Sequence, residues 1–235
     1  MNNYDALSDD YSRSHEKPDK KYSMAPTALS IVGSLHSKKV VDVGCGDGFF
    51  TKEFAKTAGF VYGIDNSEEQ IKKANKDAKN IEYQLVDMND FTYPSVDVIF
   101  APFVLNYLKK TESLESLFKK FYDSLSSGGL VSGIVDMPQS LVHDMRKFGS
   151  IKRIKRFDEG EEIDIELYNG TEHITTLHSF FHKKETIENL LDQIGFTEIA
   201  WHNPIISPEG LDIMGSDFWE GYIKNCDLAY FSAKK

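Results

Sequence analysis

Cysteine is scarce in this sequence: 235 residues contain only Cys45 and Cys226, and neither lies in a C-x-x-C pair. This scarcity argues against a disulfide framework and against a zinc knuckle, and Cys45 is interpreted as a small residue within a turn. No apolar run approaches the ~18 to 20 residues that span a bilayer. The first residues also lack the basic-then-apolar pattern of a signal peptide. We therefore expect a cytoplasmic protein without a membrane partner.

Positive charge is also in short supply, because 27 Lys and Arg oppose 37 Asp and Glu and give a formal net charge of −10. A protein that grips nucleic acid needs a basic surface to neutralise phosphates. The charge balance therefore argues against DNA or RNA as the main partner. The segment 146–156 is a local exception, rich in Lys and Arg. We interpret it as a solvated face, with a docking patch as the alternative.

Short β-branched segments alternate with amphipathic helical segments through the first half of the chain. Strands are predicted at 39–43, 60–65, 81–86, 96–100 and 130–135, and helices at 27–35, 49–57, 67–76 and 111–125. This alternation is typical of an α/β fold with a doubly wound, Rossmann-like, mostly parallel sheet. Such sheets bind ligands beyond the carboxyl ends of their strands, so we expect the chemistry in the loops at that edge.

The pattern changes after residue 138. A helix is predicted at 139–150, an antiparallel β region with a turn at Asn169 and Gly170 at 151–181, and a helix at 184–194. A long loop region that can include one short helix is predicted at 204–224. We expect four parts. They are an N-terminal arm and helix forming part of a lid, 1–35; a ligand-binding core, 36–138; a helix and antiparallel insertion acting as a substrate cap, 139–183; and a C-terminal completion of the sheet, 184–235.

Three glycines follow the first predicted strand in the sequence VVDVGCGDG, at Gly44, Gly46 and Gly48. Glycine lets the backbone turn sharply and approach a ligand closely, with a helix N-terminus behind the loop. The spacing differs from the G-x-G-x-x-G of dinucleotide folds, which argues against an NAD-dependent oxidoreductase. Asp42, before the loop, is a candidate to orient the loop or to hold an amino acid's ammonium group.

Acidic residues end the next two predicted strands. Asp65 suits the two hydroxyls of a ribose; helix capping is the alternative, but Ser67 already offers that cap. Asp87 can accept the exocyclic amine of adenine, and Met88 can pack on the ring. Together with the glycine loop, these acids indicate a binding site for an adenosine nucleoside.

In this combination and order, the motifs resemble those of the class I S-adenosylmethionine-dependent methyltransferases. The resemblance covers residues 38–136: a glycine motif at 40–48, a ribose motif at 62–67, an adenine motif at 85–88, a donor-facing strand and loop at 97–107, and a glycine turn at 125–130. It implies a seven-stranded sheet completed by an antiparallel C-terminal hairpin of 196–201 and 228–232. It also implies S-adenosyl-L-methionine as methyl donor and S-adenosyl-L-homocysteine as product.

The resemblance further implies which residues bind the donor. The expected set is Tyr11, Arg13, Tyr22, Asp42, Gly44, Cys45, Gly46, Gly48, Asp65, Asn66, Asp87, Met88, Ala101 and Phe103. Arg13 or Tyr22 would bind the donor's carboxylate, a solvated Arg13 being the alternative, and Asn66 would flank the adenine. The arm and the segment 207–211 also resemble a toxoflavin-synthase-like subgroup, whose members methylate nitrogen in a small heterocycle.

The predicted acceptor pocket consists of Phe103, Asn106, Tyr107, His178 and Trp219. Ordinary packing is the alternative for the aromatic residues, and it is favoured for Trp219. His178 is the candidate general base, although an activated methyl donor requires mainly orientation and desolvation. No spacing of His, Cys, Asp and Glu resembles a metal site.

We therefore predict a monomeric or homodimeric enzyme that transfers a methyl group to a small, planar heterocycle, at nitrogen. The alternatives are a methyltransferase acting on protein or tRNA, an NAD-dependent oxidoreductase, and a nucleoside-binding module without catalytic activity.

Overall fold

The computed structural model describes residues 17–74 and 79–235. The N-terminal arm up to residue 16, including Tyr11 and Arg13, lies outside the described residues. None of the helices in the described ranges is both long and apolar enough to cross a membrane.

Seven strands form the central sheet. They are β1 Lys39–Val43, β2 Phe60–Asp65, β3 Ile81–Leu85, β4 Val96–Pro102, β5 Leu125–Asp136, β10 Thr197–His202 and β11 Leu228–Lys234. Their order across the sheet is β10-β11-β5-β4-β1-β2-β3. The strands from β5 to β3 are parallel, whereas β11 is antiparallel to both β5 and β10. The predicted Rossmann-like sheet with an antiparallel C-terminal hairpin is confirmed.

The middle strands are apolar because helices cover both faces of the sheet. The helices are α1 Ala25–Val32, α2 Phe49–Ala55, α3 Glu68–Ala74, α4 Thr111–Ser124, α5 Lys184–Ile194, α6 Pro208–Met214 and α7 Ser216–Asn225. A π-helical turn, Lys20–Met24, leads into α1, and a 3₁₀ turn, Val104–Tyr107, follows β4. In α4 the buried residues recur at helical spacing on one face, Leu114, Leu117, Phe118 and Phe121.

A second sheet, here called the cap sheet, contains β6 Val142–Met145, β7 Ser150–Ile154, β8 Glu162–Asn169 and β9 Glu172–Phe180, in that order. All of its neighbouring strands are antiparallel, which confirms the predicted β-rich insertion. The predicted helix at 139–150 is wrong. His143 and Met145 are buried while Val142 and Asp144 are exposed, and this alternation is the period of a strand. A short 3₁₀ turn, Arg146–Phe148, then leads into β7.

The region 204–224, predicted as a long loop with room for one short helix, contains two helices, α6 and α7. Ser207 caps α6: its hydroxyl accepts a hydrogen bond from the Gly210 N–H at 3.1 Å, and Pro208 begins the helix. Trp219 and Tyr222 of α7 pack with Phe148 in a separate apolar cluster.

Candidate active site

A cavity of about 280 Å³ lies at the carboxyl ends of the parallel strands and is also lined by the cap sheet. Its size is close to the lower end of the ~300 to 1,000 Å³ found for ligand pockets. The sequence-predicted residues that line it are Gly44, Cys45, Gly46, Asp65, Asn66, Asp87, Met88, Phe103 and Tyr107. The structure therefore brings the glycine loop, the two strand-end acids and part of the predicted acceptor pocket to one space.

The glycine loop requires glycine at the two positions that face the cavity. Gly44 and Gly46 have positive φ angles of 67° and 55°, a conformation that favours glycine. A Cβ at Gly44 would lie 2.5 Å from Cγ1 of Val104, so the loop leaves no room for a side chain there. Gly48 does not line the cavity; it caps α2, and a Cβ there would lie 2.3 Å from the Tyr83 hydroxyl.

Asp65 is fixed at the end of β2 by two backbone donors. The Gly46 N–H donates to Oδ2 at 2.8 Å, and the Ser67 N–H donates to Oδ1 at 2.9 Å. A carboxylate oxygen can accept more than one hydrogen bond, and the Asp65 side chain lines the cavity. Helix α3 is capped by Ser67, whose hydroxyl accepts from the Gln70 N–H at 3.3 Å.

The ends of β2 and β3 are joined through Asp87. Asn66 donates from Nδ2 to Asp87 Oδ2 at 3.3 Å, and Asn89 donates from its backbone and its side chain to Oδ1, each at 2.9 Å. Met88 follows in the same cavity wall. Asp87, Asn66 and Met88 therefore bring a carboxylate, an amide and a thioether to the same cavity wall.

Besides Gly48, three of the expected donor-binding residues do not line the cavity: Asp42, Ala101 and Tyr22. Asp42 is fully buried and accepts a hydrogen bond from the Thr51 hydroxyl at 2.6 Å. Burial raises the pKa of Asp42 to about 7, although the Thr51 hydrogen bond opposes the rise. This position suits the role of orienting the glycine loop better than that of holding the donor's ammonium group. Ala101 is a core residue of β4, and Tyr22 packs its ring against Gly210.

Cys45 lines the cavity but has no character of a nucleophile. Its side chain is buried, and burial raises the pKa of the thiol well above its usual range. The interpretation as a small residue within the turn fits this environment.

Phe103 turns the chain sharply at the end of β4. Its φ of 64° lies in the left-handed region, which is rare for an aromatic residue, and its N–H donates to the Ile134 carbonyl at 2.6 Å. The strained turn directs the following 3₁₀ helix across the cavity. Phe103 and Tyr107 both contribute to the wall, as predicted.

Asn106 does not line the cavity; its side chain instead hydrogen-bonds the backbone of two separate segments. It is buried; its Nδ2 donates to the Phe180 carbonyl at 2.9 Å, and its Oδ1 accepts from the Asp136 N–H at 2.9 Å. Asn106 thereby fastens the end of β5 to the last strand of the cap sheet.

His178 and Trp219 also do not line the cavity, and for Trp219 this agrees with the packing that the sequence favoured. Side chains alternate along β9, so Leu177 faces the cavity and His178 faces outward, where Nδ1 lies 2.8 Å from Asp164 Oδ1. Trp219 is fully buried in the α7 cluster and donates from Nε1 to the Gly210 carbonyl at 2.9 Å. His178 therefore has no position from which to act as a base in the cavity.

The cavity also has polar lining residues that were not among the predicted site residues: Lys17, Asp19, Lys20, Gln70, Asp136, Ser150, Lys152 and Asp227. They come from segments far apart in sequence, so no single motif contains them. Lys152 lies in the basic segment 146–156. The solvated interpretation fits its neighbours Arg153, Lys155 and Arg156, which are exposed, but is wrong for Lys152.

Lys152 joins the cap sheet to the core through a buried ion cluster. The residue is only 2% exposed, and its ammonium nitrogen lies 2.7 Å from Asp136 Oδ1 and 2.9 Å from Asp227 Oδ2. It also donates to the Asp227 carbonyl at 3.0 Å. Burial opposes a charge on Lys152, but the two carboxylates outweigh it and raise the pKa of the lysine.

Two further polar side chains lie at the glycine-loop end of the cavity. The Lys20 ammonium lies 4.7 Å from the centroid of the Phe49 ring; burial lowers its pKa to about 8, against the opposing effect of Asp47. Gln70 is buried, and neither atom of its side-chain amide has a hydrogen-bond partner among the described residues.

Among the described residues, one group has the chemistry of metal ligands: Glu162, Asp164 and His178, whose ligand atoms lie within 4.8 Å of one another. These side chains are on the outer face of the cap sheet, and none of them lines the cavity.

Residues 40–129 match the family described as methyltransferase domain. The chain is 36% identical over 111 residues to a phosphoethanolamine N-methyltransferase of Triticum aestivum, a match that covers 44% of this chain and 22% of that protein. It is 25% identical over 140 residues to a malonyl-[acyl-carrier protein] O-methyltransferase of Hamiltonella defensa, covering 57% of this chain and 53% of that protein.

Among solved structures, an S-adenosylmethionine-dependent methyltransferase from Mesorhizobium loti has a similar fold, with a TM-score of 0.65 at 18% identity. The alignment covers 94% of this chain and 100% of that one. The predictions of a methyltransferase domain and of the fold of S-adenosylmethionine-dependent methyltransferases are confirmed. The matched segment is only about a fifth of the length of the curated N-methyltransferase.

Proposed function

We propose that the protein transfers a methyl group from S-adenosyl-L-methionine to a small acceptor within the cavity. One observation carries this proposal: the glycine loop, Asp65 and Asp87 share a continuous cavity with the apolar inner face of the cap sheet, formed by Ile165, Leu167 and Leu177. A donor held by the strand ends would thus adjoin a separate space for an acceptor.

The residues present fit the proposed donor. The glycine loop offers a surface that a side chain at Gly44 would obstruct, and Asp65 lines the cavity with a carboxylate that can accept hydrogen bonds from ribose hydroxyls. Asp87, Asn66 and Met88 would hold the adenine. Gln70 adds a buried amide with unsatisfied donor and acceptor atoms, which an extra polar ligand would satisfy.

Lys20 is the residue we assign to the donor's carboxylate. The prediction placed this role on Arg13 or Tyr22; Arg13 lies outside the described residues, and Tyr22 does not line the cavity. The Lys20 ammonium lies over Phe49, next to the glycine loop. A carboxylate there would gain a charge-assisted hydrogen bond from a poorly solvated ammonium.

The bound donor would supply a methyl group on a positively charged sulfur, so that the bond from carbon to the acceptor forms as the carbon–sulfur bond breaks and its electron pair stays on sulfur. The contribution of the chain is orientation and exclusion of water. Phe103, Tyr107 and Leu108 supply aromatic and apolar walls, and the cap sheet closes the opposite side.

For the acceptor we propose a small, planar heterocycle that is methylated at nitrogen, as in the toxoflavin-synthase-like subgroup. The modest cavity volume and the aromatic side chains of Phe103 and Tyr107 support a flat molecule. The N-terminal arm and helix would form part of a lid, and the cap sheet would cover the acceptor.

Calorimetric titration of the whole chain with S-adenosylmethionine, S-adenosylhomocysteine and NAD tests the proposal. We expect both adenosyl ligands to bind and NAD not to bind. Asp65→Ala should weaken donor binding by about tenfold or more, since it removes acceptors for two hydroxyls. Asp192→Ala, at an exposed position on α5 outside the cavity, is the matched control. NAD binding without adenosyl binding would refute the donor assignment.

A further inference from the structure

Asp19 is a carboxylate of the cavity with a single hydrogen bond from the described residues. It is only 6% exposed, yet it lines the cavity wall. The Lys20 N–H donates to its Oδ1 at 2.9 Å, and no other hydrogen bond or ion pair within 4.0 Å reaches this carboxylate from the described residues. A buried carboxylate with one hydrogen bond has unused acceptor capacity, and that capacity faces the space next to the donor residues.

The charges around Asp19 leave negative charge in excess. Lys152 is shared between Asp136 and Asp227. Lys17 is the positively charged residue with the largest electrostatic effect on Asp19. Among the described residues, the ammonium groups of Lys17 and Lys152 thus oppose the three carboxylates of Asp19, Asp136 and Asp227. Lys20 also acts on Asp19, after Asp47, but it is the residue assigned to the donor's carboxylate, which would neutralise its charge when the donor is bound. A ligand that brings a positive charge would complete the neutralisation.

We infer that the acceptor is an amine that enters as its ammonium form, and that Asp19 binds it and takes its proton. This inference rests on the proposed function and narrows it: the nitrogen that is methylated is a basic amine carried by the flat acceptor, not a ring nitrogen. The ammonium would donate to the open side of the Asp19 carboxylate, while its apolar body lies on the inner face of the cap sheet.

The proton step is balanced within these groups. An N–H bond of the ammonium breaks, the proton forms an O–H bond with Asp19, and the electron pair remains on nitrogen. The nitrogen is then a neutral nucleophile, which is the form that methyl transfer requires. After the methylated amine is released, Asp19 returns the proton to solvent.

The environment of Asp19 suits such a proton acceptor. Burial raises its pKa to about 6, although Lys17 opposes the rise. The other groups that act on it are Lys20, Lys152, Asp227 and the phenols of Tyr222 and Tyr230. Burial raises the pKa of both phenols well above the usual range, so they stay neutral near pH 7. Asp19 is ionised at neutral pH and becomes protonated as the pH falls through about 6.

The test measures binding of flat amines to the whole chain saturated with S-adenosylhomocysteine. The probes are benzylamine with its neutral and anionic counterparts, benzyl alcohol and benzoate, and tryptamine with tryptophol and indole-3-acetate. We expect an amine to bind at least about tenfold more tightly than its counterparts, the difference a charge-assisted hydrogen bond provides. Asp19→Asn should remove this preference, and Asp192→Asn, at an exposed carboxylate outside the cavity, should keep it.

A pH series on the wild-type protein covers the case in which Asp19→Asn does not fold. Amine affinity should fall as the pH drops from 8 to 5, with a midpoint near 6. Stronger binding of the anionic probes, no binding of either amine, or a preference that survives Asp19→Asn would each overturn the inference. Failure of S-adenosylhomocysteine to bind would instead overturn the proposed function, so the two failures are distinguishable.

Discussion

Replacing Lys152 by methionine would remove the positive charge that lies between Asp136 and Asp227. Methionine retains most of the chain length but cannot neutralise a carboxylate. Both aspartates are about as buried as Lys152 itself, so neither can recover its lost partner by turning to water. Removing one partner of a buried ion pair costs ~3 to 5 kcal/mol, most of it from the charge left behind.

That loss is large beside the ~5 to 15 kcal/mol that stabilises a typical folded protein. For a chain of this size, each kcal/mol shifts the melting temperature by ~2 to 4 °C. We therefore expect Lys152→Met to lower the midpoint of thermal unfolding by ~6 to 20 °C. Urea unfolding followed by circular dichroism gives the free energy, and Lys155→Met, an exposed lysine in the same segment, should change it by no more than ~0.5 kcal/mol.

The pH dependence separates charge from packing. Burial raises the pKa of Asp136 in the folded protein, and Lys152 opposes that rise. Without Lys152 the pKa of Asp136 should rise further. The carboxyl of Asp136 then takes up a proton as the pH falls, and the cost of burying its unpaired charge disappears. The loss in free energy of unfolding caused by Lys152→Met should therefore become smaller as the pH is lowered from 8 to 5. A loss below about 1 kcal/mol, or a loss independent of pH, would refute the view that Lys152 stabilises the fold by neutralising these carboxylates.

Two further variants test residues whose roles the structure changed. His178→Ala should leave the rate of methyl transfer within about twofold of wild type, because the ring faces away from the cavity. Steady-state kinetics with the acceptor measures this rate. A fall of ~100-fold or more would show that His178 is the general base. Asp42→Asn should make the protein more stable than wild type at pH 8 in urea unfolding. Burial raises the pKa of Asp42 in the folded protein to about 7. Below the pKa that Asp42 has in the unfolded chain, the buried carboxyl is protonated and does not lower the stability of the fold. As the pH rises through about 7 the buried carboxyl ionises, and the free energy of unfolding of the wild type falls. The difference between variant and wild type should vanish toward pH 4; a difference that stays constant with pH would contradict this account.

The donor half of the site was predictable because each part of it is encoded locally. A β-branched strand followed by a glycine or an acid specifies both the strand and the residue at its carboxyl end, and parallel strands bring those ends together. Gly44, Asp65 and Asp87 therefore reach one cavity without any knowledge of distant contacts. The same argument explains why the order of parallel strands and helices followed from the sequence.

The cap sheet was only partly predictable, because its strands need partners to decide which side is buried. Along β9, the pattern of apolar and polar residues marks two faces but does not say which one meets the core. The contact of Leu177 with the cavity, and the exposure of His178, follow from how the sheet docks. The segment 139–150 has too few apolar residues to distinguish a short strand from a helix until β7 pairs with it.

The acceptor half depends on contacts between segments far apart in sequence. Asp19, Asp136, Lys152 and Asp227 meet only after the cap sheet docks on the ends of β5 and β11. Asn106 and Lys152 both contact Asp136, one through its backbone N–H and the other through its carboxylate. The docking of the cap and the charge of the acceptor end therefore share the same residues. A change that alters the acceptor charge at Asp136 should also loosen the cap, whereas Asp19, which takes no part in these docking contacts, can change the acceptor preference alone.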